Sequence, residues 1–129
     1  MRKLRMVMGL FALSATVGSL GACSHSNTEY GEVAPANAIV VHIQNQNFLD
    51  MDIYAVAAGV PTRLGTVTGN SSGTFVVNAS MTHQDFAIDA RPIGGNGRAS
   101  TGNISVGPGQ TIEFRIGSVM SNSSVFIRG

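Results

Sequence analysis

Large apolar side chains at every second position dominate the sequence after residue 37, and this alternation limits the possible folds. Positions 39, 41 and 43 are all Ile or Val, and Ile112, Phe114 and Ile116 alternate with charged residues. A period of two places one side of an extended segment in an apolar core and the other side in water. The pattern therefore predicts β-strands, each with one buried and one solvated face.

Eight such runs follow one another, and clusters of Gly, Pro, Asn and Ser separate them. The runs cover residues 39–43, 53–57, 63–67, 74–77, 85–91, 104–106, 112–116 and 125–128; the breaks include 59–61, 69–73, 94–97 and 107–110. One strand every 11 or 12 residues is the spacing of a sandwich. We predict an all-β fold, a small antiparallel β-sandwich of about seven or eight strands with immunoglobulin-like or transthyretin-like topology. A small closed barrel is the alternative, and antibody-type domains are excluded because the chain has one Cys and no Trp.

The strand phases also predict where individual residues lie. Phe114 should be buried between Ile112 and Ile116, and the carboxylates on strand faces should be solvated. We expect at least four of the six aromatic residues in the domain to be in the core; the six are Phe48, Tyr54, Phe75, Phe86, Phe114 and Phe126. The segment 121–129 could form an edge strand, to which a partner's extended segment could pair.

The first 23 residues have the composition of an export signal. Arg2, Lys3 and Arg5 form a positive head, and the 15 residues from 6 to 20 carry no charge. A stretch of that length is short of the roughly 20 residues that span a membrane, but it suits the apolar region of a signal peptide. Small residues then precede Cys23, the only cysteine in the chain.

The sequence Leu20-Gly21-Ala22-Cys23 resembles the lipobox of bacterial lipoproteins. The resemblance implies that signal peptidase recognises Leu20, Gly21 and Ala22, that Cys23 receives a diacylglyceryl group on sulfur, and that the chain is cut before it. In a cell with two membranes, Ser24 after the cysteine favours the outer membrane, on its periplasmic or surface side. The alternatives are an ordinary secretory signal cleaved near Ala22 and an uncleaved anchor.

These features divide the chain into three parts. Residues 1–22 are the predicted signal peptide, 23–37 the lipidated cysteine with a flexible tether, and 38–129 the β-sandwich domain. The 14 residues from 24 to 37 are mostly polar and contain few large aliphatic side chains, and a flexible chain of that length spans about 20 Å. The domain is therefore expected close to the membrane that holds the lipid.

Charge and composition exclude some functions. After position 22 the chain has five Arg, seven Asp or Glu and no Lys, a net charge of −2, which is the wrong sign for a nucleic-acid partner. Residues 69–73, Gly-Asn-Ser-Ser-Gly, fit the nucleophile pattern G-x-S-x-G, but this segment is one of the predicted breaks between strands, not the strand-to-helix turn that such a nucleophile needs. A minimal enzyme site would have to use His42, Asp50 and Asp52, and we expect no catalysis, no cofactor and no metal. Whether Asp50 and Asp52 bind calcium stays open.

Amide and hydroxyl side chains are abundant in the remainder. Ser, Thr, Asn and Gln make up 32 of the 107 residues after the leader. The sequence resembles those of small exported β-sandwich lipoproteins. The resemblance rests on four segments: Asn45-Gln46-Asn47-Phe48, Ile53-Tyr54, Leu64-Gly65-Thr66-Val67 and Arg91-Pro92-Ile93-Gly94-Gly95. We expect a non-catalytic, membrane-anchored protein that binds or supports an envelope protein or glycan. A tethered carbohydrate-binding module is the alternative.

Substitution of the cysteine tests the lipid anchor. Cys23→Ser removes the sulfur that accepts the diacylglyceryl group, so acylation should be lost and uncleaved precursor should accumulate. Metabolic labelling with palmitate, read on the wild-type and variant chains, checks both effects. Label retained by the Cys23→Ser chain would contradict the lipobox interpretation.

Overall fold

The computed structural model describes residues 35–129, which form eight strands and two short 3₁₀ turns. The strands are β1 (Ala38–Asn45), β2 (Met51–Ala57), β3 (Val60–Val67), β4 (Ser72–Asn78), β5 (Ala87–Pro92), β6 (Ala99–Ser100), β7 (Thr111–Ile116) and β8 (Ser124–Arg128); the turns are Ala79–Thr82 and Met120–Asn122. No helix within residues 35–129 has the length and apolar character needed to cross a membrane.

The strands form two four-stranded sheets. Sheet A has the order β4-β1-β7-β8, and sheet B has the order β3-β2-β5-β6. The all-β prediction is confirmed at this level, with two separate sheets in the described residues instead of one closed barrel. The segment 121–129 does contain an edge strand, because β8 lies at one side of sheet A.

One pairing departs from the predicted antiparallel arrangement. Five of the six ladders are antiparallel, but β1 and β7 run parallel, with His42 opposite Glu113 and Ile43 opposite Phe114. The chain reverses direction after every strand, so odd-numbered strands all point the same way. Two odd-numbered strands that become neighbours are therefore parallel, and the alternation pattern carries no information on which strands become neighbours.

A single apolar core lies between the sheets. The inward side chains of β1 and β7 form the sheet A half of this core, and those of β2 and β5 form the sheet B half. The large core side chains are Ile39, Val41, Ile43, Met51, Ile53, Ile88, Ile112, Phe114 and Ile116, with Phe86 just before β5. The strand phases predicted for these segments are confirmed. The shared core makes the domain sandwich-like, with the other face of each sheet turned outward.

Two local predictions are wrong. The run at 104–106 is not a strand: Ile104 forms an isolated bridge with Phe86, and the short strand β6 lies at Ala99–Ser100. Gly102, at φ 67°, turns the chain between them, a conformation that suits glycine. Of the six aromatic residues in the described part of the chain, Phe86 and Phe114 are buried and Phe75 is partly buried against the core, so fewer than four are in the core.

The alternating strand directions divide the loops between two ends of the domain. The entry end holds residues 35–37, where the described chain begins, together with 58–59, 79–86 and 101–110. The four-loop end holds residues 46–50, 68–71, 93–98 and 117–123. The eight residues of β1 separate the two ends, a distance of about 26 Å at 3.3 Å per residue.

Two phenylalanines from neighbouring strands test the core assignment. Phe114 is buried, whereas Phe126, on the opposite face of sheet A, is 53% exposed. Phe114→Ala should lower the free energy of unfolding by about 3–5 kcal/mol, because it removes a buried ring and leaves a cavity. Phe126→Ala should cost less than about 1 kcal/mol. Urea titration measures both, and equal losses would contradict the strand phase.

Candidate binding surfaces

The predicted lipid site lies outside the described residues. Leu20, Gly21, Ala22 and Cys23 all precede Pro35, the first residue that the structure describes. The candidate chemistry in the domain can be placed, and it falls on two outer sheet faces and the four-loop end.

The three residues of the minimal enzyme site do not converge. His42 points outward from sheet A between the buried Val41 and Ile43. Asp52 points outward from sheet B between buried neighbours of its own. The core separates the two side chains, so the arrangement of His42, Asp50 and Asp52 as one site is wrong.

The two acids proposed as possible calcium ligands have partners within the domain. Asp50 Oδ1 accepts the N–H of Gly69 at 2.9 Å, and Asp52 Oδ1 accepts from Arg63 Nη2 and Thr66 Oγ1, each at 2.7 Å. The hydrogen bond from Arg63, followed by that from Thr66, lowers the pKa of Asp52 below its ordinary value. Among residues 35–129, no group of three or more His, Cys, Asp or Glu is placed to hold a metal ion.

The outer face of sheet A carries a cleft of about 340 Å³. Strand register puts its side chains in two rows across the sheet: Thr74, His42, Glu113 and Phe126 in one, and Ser72, Gln44, Arg115 and Ser124 in the next. The volume is at the low end of the range for small-ligand pockets, about 300–1,000 Å³. The cleft therefore combines an exposed aromatic ring with hydroxyl, amide, imidazole and charged groups.

Hydrogen bonds hold the polar side chains of this cleft in place. His42 Nδ1 and Thr74 Oγ1 are 2.8 Å apart, and Arg128 Nη2 is 2.9 Å from Glu113 Oε2. Arg115 Nε donates to Gln44 Oε1 at 2.9 Å, and no ion pair joins Arg115 to an acid among the described residues. Glu113 is thus neutralised by a partner, while the charge of Arg115 is not.

The outer face of sheet B differs because its charges pair with one another. Besides the Arg63–Asp52 pair, Asp89 lies 3.4 Å from Arg98 and 3.8 Å from Arg91, and Arg91 also covers the ring of Tyr54 at 4.6 Å. The prediction that carboxylates on strand faces are solvated is wrong for Asp89, which is 3% exposed. The two arginines cover Asp89 and shield it from water. The charged side chains of this face therefore form a network of ion pairs with one another.

Two buried asparagines tie the four-loop end together. Asn45 Nδ2 lies 2.8 Å from the carbonyl oxygen of Leu49, 3.1 Å from that of Thr68 and 3.3 Å from that of Val67. Asn47 Nδ2 donates to Ser118 O at 2.9 Å. These amides therefore link the 46–50 loop to the β3–β4 and β7–β8 connections.

The same end exposes apolar side chains from these tied loops. Phe48 is 77% exposed, Val119 57% and Ile93 50%. A Cβ on Gly69 would overlap the carbonyl oxygen of Phe48, so the 68–71 loop packs closely behind the residue. The N–H of Ile93 donates to Asp50 O at 2.9 Å, which ties a third loop to the 46–50 loop.

Sequence reasoning missed this cluster because it placed Phe48 among possible core residues. The available signal was the Asn45-Gln46-Asn47 segment directly before it. Asparagine hydrogen-bonds readily to nearby backbone and so stabilises irregular turns. Here Asn45 Oδ1 accepts the N–H of Asn47, and Asn47 Oδ1 accepts the N–H of Leu49, both at 3.0 Å.

Replacing one buried amide by a carboxylate tests its role. Asn45→Asp turns an N–H₂ donor into an acceptor that faces three carbonyl oxygens, and the unfolding free energy should fall by more than about 3 kcal/mol at pH 7, since a buried charged group is left unpaired. Burial raises the pKa of the new carboxyl, so stability should recover as the pH falls through that raised value.

A second Asn→Asp change provides the control. Asn78 is exposed, and its Oδ1 accepts the N–H of Ser80 at 2.9 Å, a contact that a carboxylate also makes. Asn78→Asp should change stability by less than about 0.5 kcal/mol. Equal effects of the two substitutions in urea titrations would rule out the tying role of Asn45.

Comparison with known proteins gives little assistance. No model of a protein family matches the sequence, and no curated protein matches it. One solved structure that it resembles is described as an NMR structure of the protein from Eubacterium rectale, with a TM-score of 0.45 and 11% sequence identity, covering 70% of this chain and 88% of that chain. A structural likeness this weak gives no information on function, so the surfaces of the domain itself are the basis for assigning one.

Proposed function

We propose that the protein is an exported cell-envelope lipoprotein, held to the membrane by lipid on Cys23, whose β domain binds or supports another envelope component without catalysis. The lipid would be on the outer membrane in a cell that has two membranes. The proposal includes no cofactor and no nucleic acid. The observation that carries it is the position of the exposed apolar cluster, at the end of the domain opposite the one where the chain enters.

The entry point defines which part of the domain could meet a partner. Cys23 lies twelve residues before Pro35, and the tether predicted from the sequence has an expected span of about 20 Å. A lipid on Cys23 would therefore keep the entry end near the bilayer. The four-loop end, about 26 Å further along β1, would then face away from that membrane.

The chemistry of the four-loop end favours a protein as the component it contacts. Phe48, Ile93 and Val119 are exposed there among amide and hydroxyl residues. Asp50 and Arg98 are the only charged residues of its four loops, so the surface has no basic cluster to attract anionic lipid headgroups. Exposed apolar residues with a polar rim are typical of protein interaction sites.

For the finer topology, we propose the transthyretin-like alternative. An immunoglobulin sandwich places its first two strands side by side in one sheet, in the order ABED. Here β1 lies between β4 and β7, while β2 is in the other sheet. That order and the eight strands favour transthyretin-like over immunoglobulin-like topology.

Photo-crosslinking in intact cells tests the function. A benzophenone amino acid in place of Phe48 should give one discrete adduct with an envelope protein, because the ring would lie in the contact. The same amino acid in place of Val60, which is exposed at the entry end, is the matched control and should not give that adduct.

Changes elsewhere in the cluster provide the second part of the test. Ile93→Ser with Val119→Ser leaves the crosslinker in place but removes the other apolar contacts, so the adduct should weaken several-fold. An adduct that is equally strong with this double change, or equally strong from position 60, would contradict docking by the four-loop end.

A tethered carbohydrate-binding module is the second candidate function. The observation that favours it is the cleft of sheet A, where the half-exposed ring of Phe126 lies beside Gln44, His42 and Glu113. Aromatic faces pack against the apolar faces of sugar rings, and amide or carboxylate groups bind the hydroxyls. This cleft and the four-loop end are separate surfaces, so the two functions can be tested independently.

A further inference from the structure

We propose that the cleft on the outer face of sheet A binds a carboxylate-bearing sugar, with Arg115 as the group that binds the carboxylate. The inference rests on the second candidate function, carbohydrate binding, and adds the chemical class of the sugar. It is argued from the charge, the fixed geometry and the exposed ring of the cleft.

The charge of the cleft favours an anionic ligand. Its face carries Arg115, Arg128 and Glu113, a net charge of +1 with His42 neutral. Arg128 pairs with Glu113 at 2.9 Å, which compensates the one acid that would repel an anion. The remaining positive charge is that of Arg115, which has no ion pair with any acid in the described part of the chain.

Arg115 is also held in position. Its Nε donates to Gln44 Oε1 at 2.9 Å across the β1–β7 pair, while its two terminal nitrogens donate to no other described residue. A guanidinium binds a carboxylate through two parallel N–H donors. Because Gln44 already orients the side chain, less conformational entropy is lost when the ligand binds.

The position of Phe126 relative to Arg115 fits a ring that bears an acid group. Phe126 lies opposite Glu113 on the adjacent strand, and Arg115 is two residues further along β7 on the same face. Diagonal neighbours of this kind are about 7–8 Å apart. One sugar ring can therefore stack on Phe126 while a carboxylate on its rim reaches Arg115.

The other polar groups of the cleft suit the hydroxyls of a sugar. Glu113 has a second carboxylate oxygen beside the one that Arg128 contacts. His42 also lines the cleft and uses Nδ1 for Thr74, while its other ring nitrogen has no hydrogen-bond partner among the described residues. A small aliphatic acid would satisfy Arg115 but would leave Phe126 and these groups in water.

Titration of the purified full-length chain in detergent micelles, followed by the backbone amide resonances of β1, β7 and β8, tests the inference. Three probes are compared: glucuronate, its neutral counterpart glucose, and acetate. Glucuronate should shift resonances of the cleft and bind at least tenfold more tightly than either other probe.

Two matched Arg→Gln variants locate the effect. Arg115→Gln should reduce glucuronate binding to the level of glucose, whereas Arg63→Gln, on the outer face of sheet B, should leave it unchanged. Both side chains are exposed at the surface, and the dispersion of the amide spectrum confirms that each variant is folded.

The other outcomes overturn the inference in distinguishable ways. Equal binding of glucose and glucuronate would reject the carboxylate preference but leave carbohydrate binding standing. Equal binding of acetate and glucuronate would reject the sugar. If no probe shifts the cleft resonances, both this inference and the carbohydrate-binding function fail, while the lipoprotein anchor and the protein-docking end are unaffected.

Discussion

The domain depends on the packing of two apolar sheet faces against each other. Each strand can bury only alternate side chains, so the inward rows of β1 and β7 need a second sheet to cover them, and β2 and β5 supply it. A domain of fewer than 100 residues has one core of this kind. The same alternation turns His42, Glu113 and Arg115 outward. The surfaces available for binding therefore follow from how the core is built.

Buried polar groups complete the structure where the strands end. Asn45 reaches the carbonyl oxygens of Leu49 and Thr68 in two loops and that of Val67 at the end of β3, and Asn47 reaches a third loop through Ser118. Buried carbonyls that lack a donor cost free energy, so these amides stabilise the four-loop end while they fix its shape. Phe48 is exposed on a loop that is held at both sides. Because the backbone on both sides of Phe48 is held, the loop loses little conformational freedom on binding, which is a property expected of an interaction anchor.

The two outer faces differ in how their charges are paired, and this difference supports the proposal that sheet A binds a ligand. On sheet B, Asp52 and Asp89 are each matched by arginines, and Arg91 also stacks on Tyr54. On sheet A, one arginine is matched by Glu113 and the other, Arg115, is held only by an amide. A fixed and uncompensated guanidinium beside an exposed ring is the feature that the carbohydrate proposal uses.

The sequence by itself determined most of the strands and their buried faces, since alternation depends only on neighbouring residues. Ile112, Phe114 and Ile116 could be assigned to one buried face without knowing their partners. The lipobox-like segment ending at Cys23 is also a local pattern, and the lipid anchor that it predicts lies outside the described residues. Only the tertiary structure decided that β1 lies parallel to β7. That pairing brings Gln44 and Arg115, which are 71 residues apart, into contact. It also decided that Phe48 and Phe126 are exposed while Phe114 is buried. Strand neighbours are set by how all the sheet faces pack together, and a short-range pattern cannot encode that choice.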